Sequence, residues 1–193
     1  MPKAANKVKF GLKNVHYAKI TDTGTALTFA TPKRLRGAVN LSLSANGELV
    51  EFSADDIVYW SAEINNGYDG ELEIADLPDE FAQEILGEEI IDGIAYESAN
   101  QKGSKFAILF EVNGDEHNRR YVYYYCAATR PSVEAATKEG SSVSPSTSKL
   151  TFQARPHIYN ELIKANTTKD TAEAKFNSWF TEVHEKPTTP VEE

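Results

Sequence analysis

The residue types that carry chemistry are scattered along this chain of 193 residues and form no familiar motif. The four histidines, His16, His117, His157 and His184, show no spacing typical of metal ligands. The single cysteine, Cys126, lies in a predicted strand with no histidine near it, which favours a packed thiol over a nucleophile. The chain has no glycine-rich phosphate loop, GxSxG, HExxH or Cys/His cluster. We therefore expect no enzymatic activity, no metal and no cofactor.

Two acidic patterns suggest chemistry but have simpler interpretations. The pairs Asp55-Asp56 and Glu88-Glu89 are candidates for the two carboxylates of a glycosidase, although any acidic domain offers such pairs. Residues 65–70, NNGYDG, contain the oxygen donors of a calcium loop but lack its closing glutamate. Because Asn, Asp and Gly favour turns, a turn is the better interpretation of this segment.

Composition indicates one soluble domain, spanning residues 1–193, with a real hydrophobic core. Apolar residues make up 40% of the chain, and no apolar run is long enough for a membrane helix. The N-terminus lacks the apolar stretch of a secretory signal, and a lone cysteine fits a reducing cytoplasm. The net charge is −9, and Lys and Arg cluster only at 33–36 and 119–120, which argues against nucleic-acid binding and for solubility.

Residues 106–112 (FAILFEV) and 121–127 (YVYYYCA) are the most informative strand candidates. Both runs are rich in β-branched and aromatic residues, and neither alternates cleanly between apolar and polar. A strand that is apolar on both faces must be covered on both faces, by its own domain or by a partner. With no catalytic apparatus visible, this pattern points toward assembly.

Residues 38–54 are predicted to form a long hairpin. Asn46-Gly47 suits a two-residue type I′ turn, because both central positions of that turn need positive φ. In this register one face of the hairpin is apolar and the other face is polar, so turn chemistry and pattern agree. The apolar face comprises Leu41, Leu43, Val50 and Phe52.

The remaining elements are mostly short strands, expected at 25–30, 57–63, 70–75, 93–97 and 149–155. A helix is predicted over 76–86, with Asp76 as N-cap and Gly87 closing it, and a second is plausible within 172–183. We expect an N-terminal arm at 1–14 and a surface loop at 134–148. The C-terminal segment, 168–193, is left open between a helix and an extended arm, and 156–169 between a helical turn and an edge strand.

Several segments, taken in order, resemble the major tail protein family of long-tailed phages with non-contractile tails. They are VKFGLKNVHYA near the start, GELVEFSADDIVYW followed by NNGYDGELEIADLPDEFAQEILG, then FAILFEVNGDEHNRRYVYYYCAATRP, and the late WFTEVH. The resemblance spans residues 7–187. It implies a mainly β tail-tube fold, with two antiparallel sheets packed as a sandwich or half-barrel and a flanking helix. It also implies rings, usually of six subunits, that stack into a tube through which DNA leaves the virion.

The resemblance and the strand patterns together assign roles to particular residues. Six are predicted at subunit interfaces: Leu41, Leu43, Val50, Phe52, Trp179 and Phe180. Four are predicted to face the lumen, where negative charge would keep DNA from sticking: Glu48, Glu51, Glu71 and Glu73. The implied partners are further copies of the chain, a tape-measure protein and tail-end proteins, with DNA passing unbound and no membrane involved. The implied location is the virion, after assembly in the host cytoplasm.

A β-sandwich carbohydrate-binding module is the main alternative. Trp60, Trp179 and the tyrosines would then form a platform on which sugars stack. Core packing or subunit contact explains the same aromatic residues more simply. Both readings are β-rich, but only the tail tube requires ordered self-assembly.

Overall fold

The computed structural model describes residues 9–114, 117–132 and 146–187 and is mainly β, with 55% strand and 9% helix, as predicted. The strands are β1 (Lys9–Asp22), β2 (Leu27–Phe29), β3 (Lys33–Arg34), β4 (Ala38–Ala54), β5 (Ile57–Ile74), β6 (Glu89–Ile91), β7 (Ile94–Tyr96), β8 (Phe106–Gly114), β9 (Arg119–Ala128), β10 (Ser148–Arg155) and β11 (Lys164–Asn166). Helix α1 (Asp79–Phe81) continues into a π-helical turn (Ala82–Leu86), and α2 spans Glu173–Ser178.

Nine of these described strands form one antiparallel sheet, and β6 with β7 forms a small second one. The order in the large sheet is β2-β1-β8-β9-β10-β5-β4, with β3 paired to β1 and β11 paired to β9. Both ends of this sheet contribute to one core, because Val15 and Tyr17 of β1 lie in the same cluster as Leu41 of β4. The large sheet therefore curls around its core, in keeping with a sandwich-like architecture.

The strands β8 and β9 are covered on both faces, as their sequence predicts. Their first face lies in the main core, against which the helical segment after β5 also packs. The buried residues of the main core are Val15, Tyr17, Leu35, Leu72, Ile74, Phe81, Ile85, Phe106, Ile108, Phe110, Tyr123, Cys126, Leu150, Phe152 and Ala154. Their second face lies in a second core of Ala18, Ala107, Leu109, Val122, Tyr124 and Trp179. The cover on both faces comes from the chain itself, so these strands do not require a partner.

One detail of the alternation in β9 differs from expectation. Phe106 pairs with Cys126 and Ile108 pairs with Tyr123, so β9 holds one extra residue at this point. This β-bulge turns Cys126 into the main core beside Tyr123, whereas strict alternation predicts opposite faces.

A buried ionic network ties the C-terminal segment to the sheet. The Glu111 carboxylate, 2% exposed, accepts hydrogen bonds from Arg120 Nε at 3.0 Å and Asn118 Nδ2 at 2.8 Å. The Arg120 guanidinium also donates to the Phe176 carbonyl and lies 3.8 Å from the centre of that ring. Burial opposes ionisation of Glu111, but its hydrogen bonds, with Asn14 contributing most, hold its pKa below the ordinary value. The network fixes α2 over the second core.

The predicted hairpin over residues 38–54 is wrong. Ala38–Ala54 is one continuous strand, β4, which pairs with β5 along its whole length. The reversal comes at Asp55 and Asp56, whose φ values of 53° and 60° match a type I′ turn. Asn46-Gly47 instead lies opposite a bulge in β5, where pairing passes from Ala45–Tyr68 to Gly47–Asn65. The break predicted between the strands at 57–63 and 70–75 is also absent, because β5 runs through it.

Other predicted boundaries hold in part. The helix expected at 76–86 begins at Asp79, with Pro78 at the N-cap, and ends at Gly87 in the left-handed conformation. Residues 9–14 of the expected N-terminal arm belong to β1, because they pair with β8. Residues 1–8 of that arm, 133–145 of the expected surface loop and 188–193 of the C-terminal segment lie outside the described residues. Within 168–187 the chain forms the short helix α2, and the edge-strand alternative at 164–166 is β11.

Candidate assembly surface

The outer half of the β4–β5 pair projects from the core as a long arm. We call residues 47–65 the arm; its turn is Asp55-Asp56, and nearly all of its side chains are exposed. Eight of the large exposed hydrophobic residues are on it: Leu49, Val50, Phe52, Ile57, Val58, Tyr59, Trp60 and Ile64. A monomeric soluble protein rarely exposes so much contiguous apolar surface, so the arm is the leading candidate for a contact site.

Polar contacts across the bulge lock the base of the arm. Asn46 Nδ2 donates to Asp69 at 2.7 Å, and Arg155 donates to the same carboxylate at 2.9 Å. The hydrogen bond from Asn46, followed by the charge of Arg155, holds the pKa of Asp69 below its usual value. Gly67 has a φ of 96°, and a Cβ there would overlap the carbonyl oxygen of Ala154, so only glycine fits. The arm thus leaves the core at a fixed angle.

An apolar strip runs along one side of the arm. Phe52 pairs directly with Trp60 and Val50 with Ala62, while Ile64 lies opposite Glu48. Phe52 and Trp60 are 59% and 54% exposed. Because alternate residues of a strand share a face, these side chains form one continuous surface. We call Val50, Phe52, Trp60 and Ile64 the apolar strip.

Four of the six predicted interface residues pack, at least in part, against their own chain. Leu41 and Leu43 are half-buried against the main core, and they lie on the opposite side of β4 from Val50 and Phe52. The separation follows from strand alternation once the turn at residue 46 is removed. Trp179 is buried in the second core, and Phe180 packs against it and stacks on His16 at 4.7 Å. Contact between copies remains a prediction for Val50 and Phe52.

The four predicted lumen residues do not share one face. Glu71 pairs with Ser42, and Glu73 with Asn40, on the side of the sheet away from the main core. Glu73 accepts a hydrogen bond from Thr147 Oγ1 at 2.7 Å. Glu48 lies on this same side of β4, but Glu51 is on the other side, since it is an odd number of residues away.

The polar side of β4, β5 and β10 forms an open face. Asn40, Ser42, Glu71, Glu73, Lys149 and Thr151 lie next to one another on it. Among the described residues, β4 ends the strand order, so its outer backbone edge has no strand beside it. A free edge 17 residues long is a template for adding a strand from another chain.

A second apolar projection is formed by β6 and β7. Asp92 and Gly93 have φ values of 52° and 78°, which specify a tight hairpin turn. Four apolar side chains are exposed on this hairpin, namely Ile90, Ile91, Ile94 and Tyr96. Glu97 at its foot pairs with Arg130 at 2.6 Å, which links the hairpin to the end of β9.

Within the described residues, the sequence candidates for chemistry lie apart from one another. No group of three or more His, Cys, Asp and Glu is arranged to hold a metal in the part of the chain that the structure describes, and residues 65–70 are part of β5. Asp55 and Asp56 occupy an exposed turn rather than a cleft. Burial raises the pKa of the Cys126 thiol, which opposes thiolate chemistry. Trp179 is buried, so it cannot share a sugar platform with Trp60.

One arrangement near α2 has the order of a hydrolytic triad. Ser178 Oγ is 3.0 Å from His184 Nε2, and His184 Nδ1 is 3.8 Å from Glu182 Oε1. Ser178, however, ends α2, where backbone carbonyl groups rather than N–H donors are free. These contacts hold the turn after α2.

No protein-family model and no curated protein matches this chain. Among the described helices, none has the length and apolar character needed to cross a membrane. The arm is therefore identified as the candidate site from its geometry alone. Sequence reasoning placed Val50 and Phe52 on one side of the strand, but it added Leu41 and Leu43 to that side and missed Ile57, Val58 and Tyr59. The sequence contains a signal for these three residues. They form an apolar run directly after two turn-forming aspartates, and a run at the tip of a turn cannot bury both of its faces.

Proposed function

We propose that this chain is a structural subunit that polymerises into rings and stacked tubes of the phage tail-tube type. The observation that carries the proposal is the arm, a rigidly based hairpin with an exposed apolar strip and the free edge of β4 beside it. Both features are costly in an isolated protein, because apolar surface and unpaired strand edges promote association. A neighbouring copy would cover them. We infer the kind of assembly from the resemblance in sequence to major tail proteins.

In this proposal the open face lines the lumen. It is polar, it is left uncovered by the described chain, and it displays Glu71 and Glu73 next to the serine and threonine side chains of β4 and β10. Carboxylates repel the phosphates of passing DNA, so the duplex slides without binding. Rings of six, the tape-measure and tail-end proteins and the virion location follow from the family resemblance and belong to the same proposal.

Electron microscopy of the purified protein is the direct test. Sedimentation velocity over a concentration series identifies the range in which association begins, and negative staining of those samples shows the product. We expect rings or tubes with a central channel. A protein that remains monomeric throughout the series and is also retained by a glycan column would instead support the carbohydrate-binding alternative.

A further inference from the structure

Charge is divided unevenly along this chain. Residues 37–101 contain sixteen Asp and Glu and no Lys or Arg, whereas residues 1–36 contain eight Lys and Arg and a single acid, Asp22. The acidic segment includes β4, β5, the helical segment and β6–β7, and the basic segment includes β1 and β3. The two segments meet where β3 leads into β4. The protein is therefore strongly polarised, although its net charge is only −9.

The acidic end of this division is the arm. Glu48, Glu51, Asp55, Asp56 and Glu63 are all exposed on it. In the described structure none of these five carboxylates has a Lys or Arg within ion-pair distance. Asp55 and Asp56 stand at the very tip, because they form the turn.

The basic end is a cleft between the start of β4 and the edge of β1. The cleft has a volume of ≈ 560 Å³, and its charged lining consists of Lys13, Arg34 and Arg36, with no acidic side chain. Lys13 is partly neutralised by Glu111 at 3.3 Å. Arg34 and Arg36 are exposed and have no carboxylate within ion-pair distance among the described residues. The cleft thus presents two exposed guanidinium groups that can bind an acidic group.

The tip and the cleft of one molecule cannot meet. Ala38 lines the cleft and Ala54 precedes the tip, so the two sites lie at opposite ends of β4. At about 3.3 Å per residue, the strand separates them by roughly 50 Å. Continuous pairing with β5 prevents the arm from folding back. Only the cleft of a second molecule is available to the tip.

We propose that the acidic tip of the arm, Asp55-Asp56, docks into the Lys13–Arg34–Arg36 cleft of the next copy of this chain. This inference rests on the proposed function and adds the polarity of its contact. Because tip and cleft are different surfaces, the contact is head-to-tail, and repeating it builds a closed ring or an extended polymer rather than a dimer. Charge complementarity sets the direction and speeds the encounter, while the apolar strip supplies the buried area.

A charge exchange tests the proposed pairing. The tip variant carries Ser53→Lys, Asp55→Asn and Asp56→Gly, which reverses the tip charge and keeps a sequence that type I′ turns prefer. The cleft variant carries Arg34→Glu and Arg36→Glu. Each variant alone opposes like charges, whereas a mixture offers each tip a cleft of opposite sign. The control variant, Asp170→Lys with Glu185→Lys, reverses two exposed charges that belong to neither the tip nor the cleft.

We expect each single variant to associate at least tenfold more weakly than the wild type in sedimentation equilibrium at low salt. The equimolar mixture should recover most of the wild-type association, and the control should equal the wild type. Raising the salt from about 0.1 to 1 M shortens the screening length from roughly 10 to 3 Å and should weaken the wild type by a similar factor. This salt series needs no variant and so does not depend on the folding of one.

Two outcomes would overturn the inference, and they differ in what else they remove. Wild-type association that is insensitive both to salt and to the two charge reversals would refute the pairing while leaving self-assembly intact. The same holds if the mixture is no better than either variant alone. A wild type that never associates, at any salt or concentration, would remove the proposed function together with the pairing.

Discussion

Replacing Phe52 by alanine is the sharpest test of the apolar strip. Phe52 is 59% exposed, and an aromatic side chain offers about 200 Å² in all, so about 120 Å² remains for a partner to cover. At about 25 cal/mol per Å², full coverage stabilises the contact by about 3 kcal/mol, and half coverage by about 1.5 kcal/mol. The association constant should therefore fall by a factor of about 10 to 150.

The matched control lies on the same strand. Leu49 is 64% exposed but belongs to the opposite side of β4, where it pairs with Glu63. Leu49→Ala should leave association within a few-fold of the wild type, as measured by sedimentation equilibrium. Folding should hardly change in either variant, because the Phe52–Trp60 cross-strand pair is worth only about 0.2–1 kcal/mol. Equal losses in the two variants, or no loss for Phe52→Ala, would show that the strip is not the contact.

Three further predictions concern the subunit itself. Gly67→Ala should destabilise folding by about 1–3 kcal/mol in urea titrations, because the new Cβ meets the Ala154 carbonyl at a positive φ; Gly24→Ala, also at positive φ but in open space, is the control. Glu111 has a lowered pKa, so its contribution to stability is present above its ordinary pKa of 4.5 and disappears as the pH falls through the lower folded value. Glu111→Gln should therefore lower stability at pH 7 by about 3–5 kcal/mol and flatten the loss of stability toward acid; an unchanged acid limb would contradict this. The buried Cys126 thiol should react with a thiol reagent only in denaturant, and rapid labelling of the folded protein would count against its placement.

The strands that follow local pattern were predictable from the sequence. β8 and β9 are rich in β-branched and aromatic residues, and β10 alternates between exposed polar and buried apolar side chains. β4 was not predictable in the same way. Asn46-Gly47 suits a hairpin turn and a bulge site equally well, and in the structure Asn46 bonds to Asp69, which is distant in sequence. No local rule contains that contact.

The covering of Trp179 shows a second limit of sequence reasoning. Helical spacing near the C-terminus predicts an apolar stripe, but α2 ends at Ser178, and the apolar residues that reach the second core, Trp179, Phe180 and Val183, follow the helix. Whether such a stripe packs on its own sheet or on another copy depends on the chain's path after β11, which periodicity does not encode. The same limit applied to β8 and β9, whose second face proved to be closed by Trp179 and its neighbours rather than by a partner.

The pairing of β4 with β5 also constrains how this protein can change length during evolution. Inserting one residue into each strand of the arm would move every residue beyond it to the other side, and the apolar strip would be split between two faces. Insertions of two residues per strand keep the sides intact and extend the arm by roughly 7 Å. The arm can therefore lengthen or shorten only in such steps. Variants adapted to a different spacing between copies should have arms that differ from this one by multiples of four residues, two in each strand.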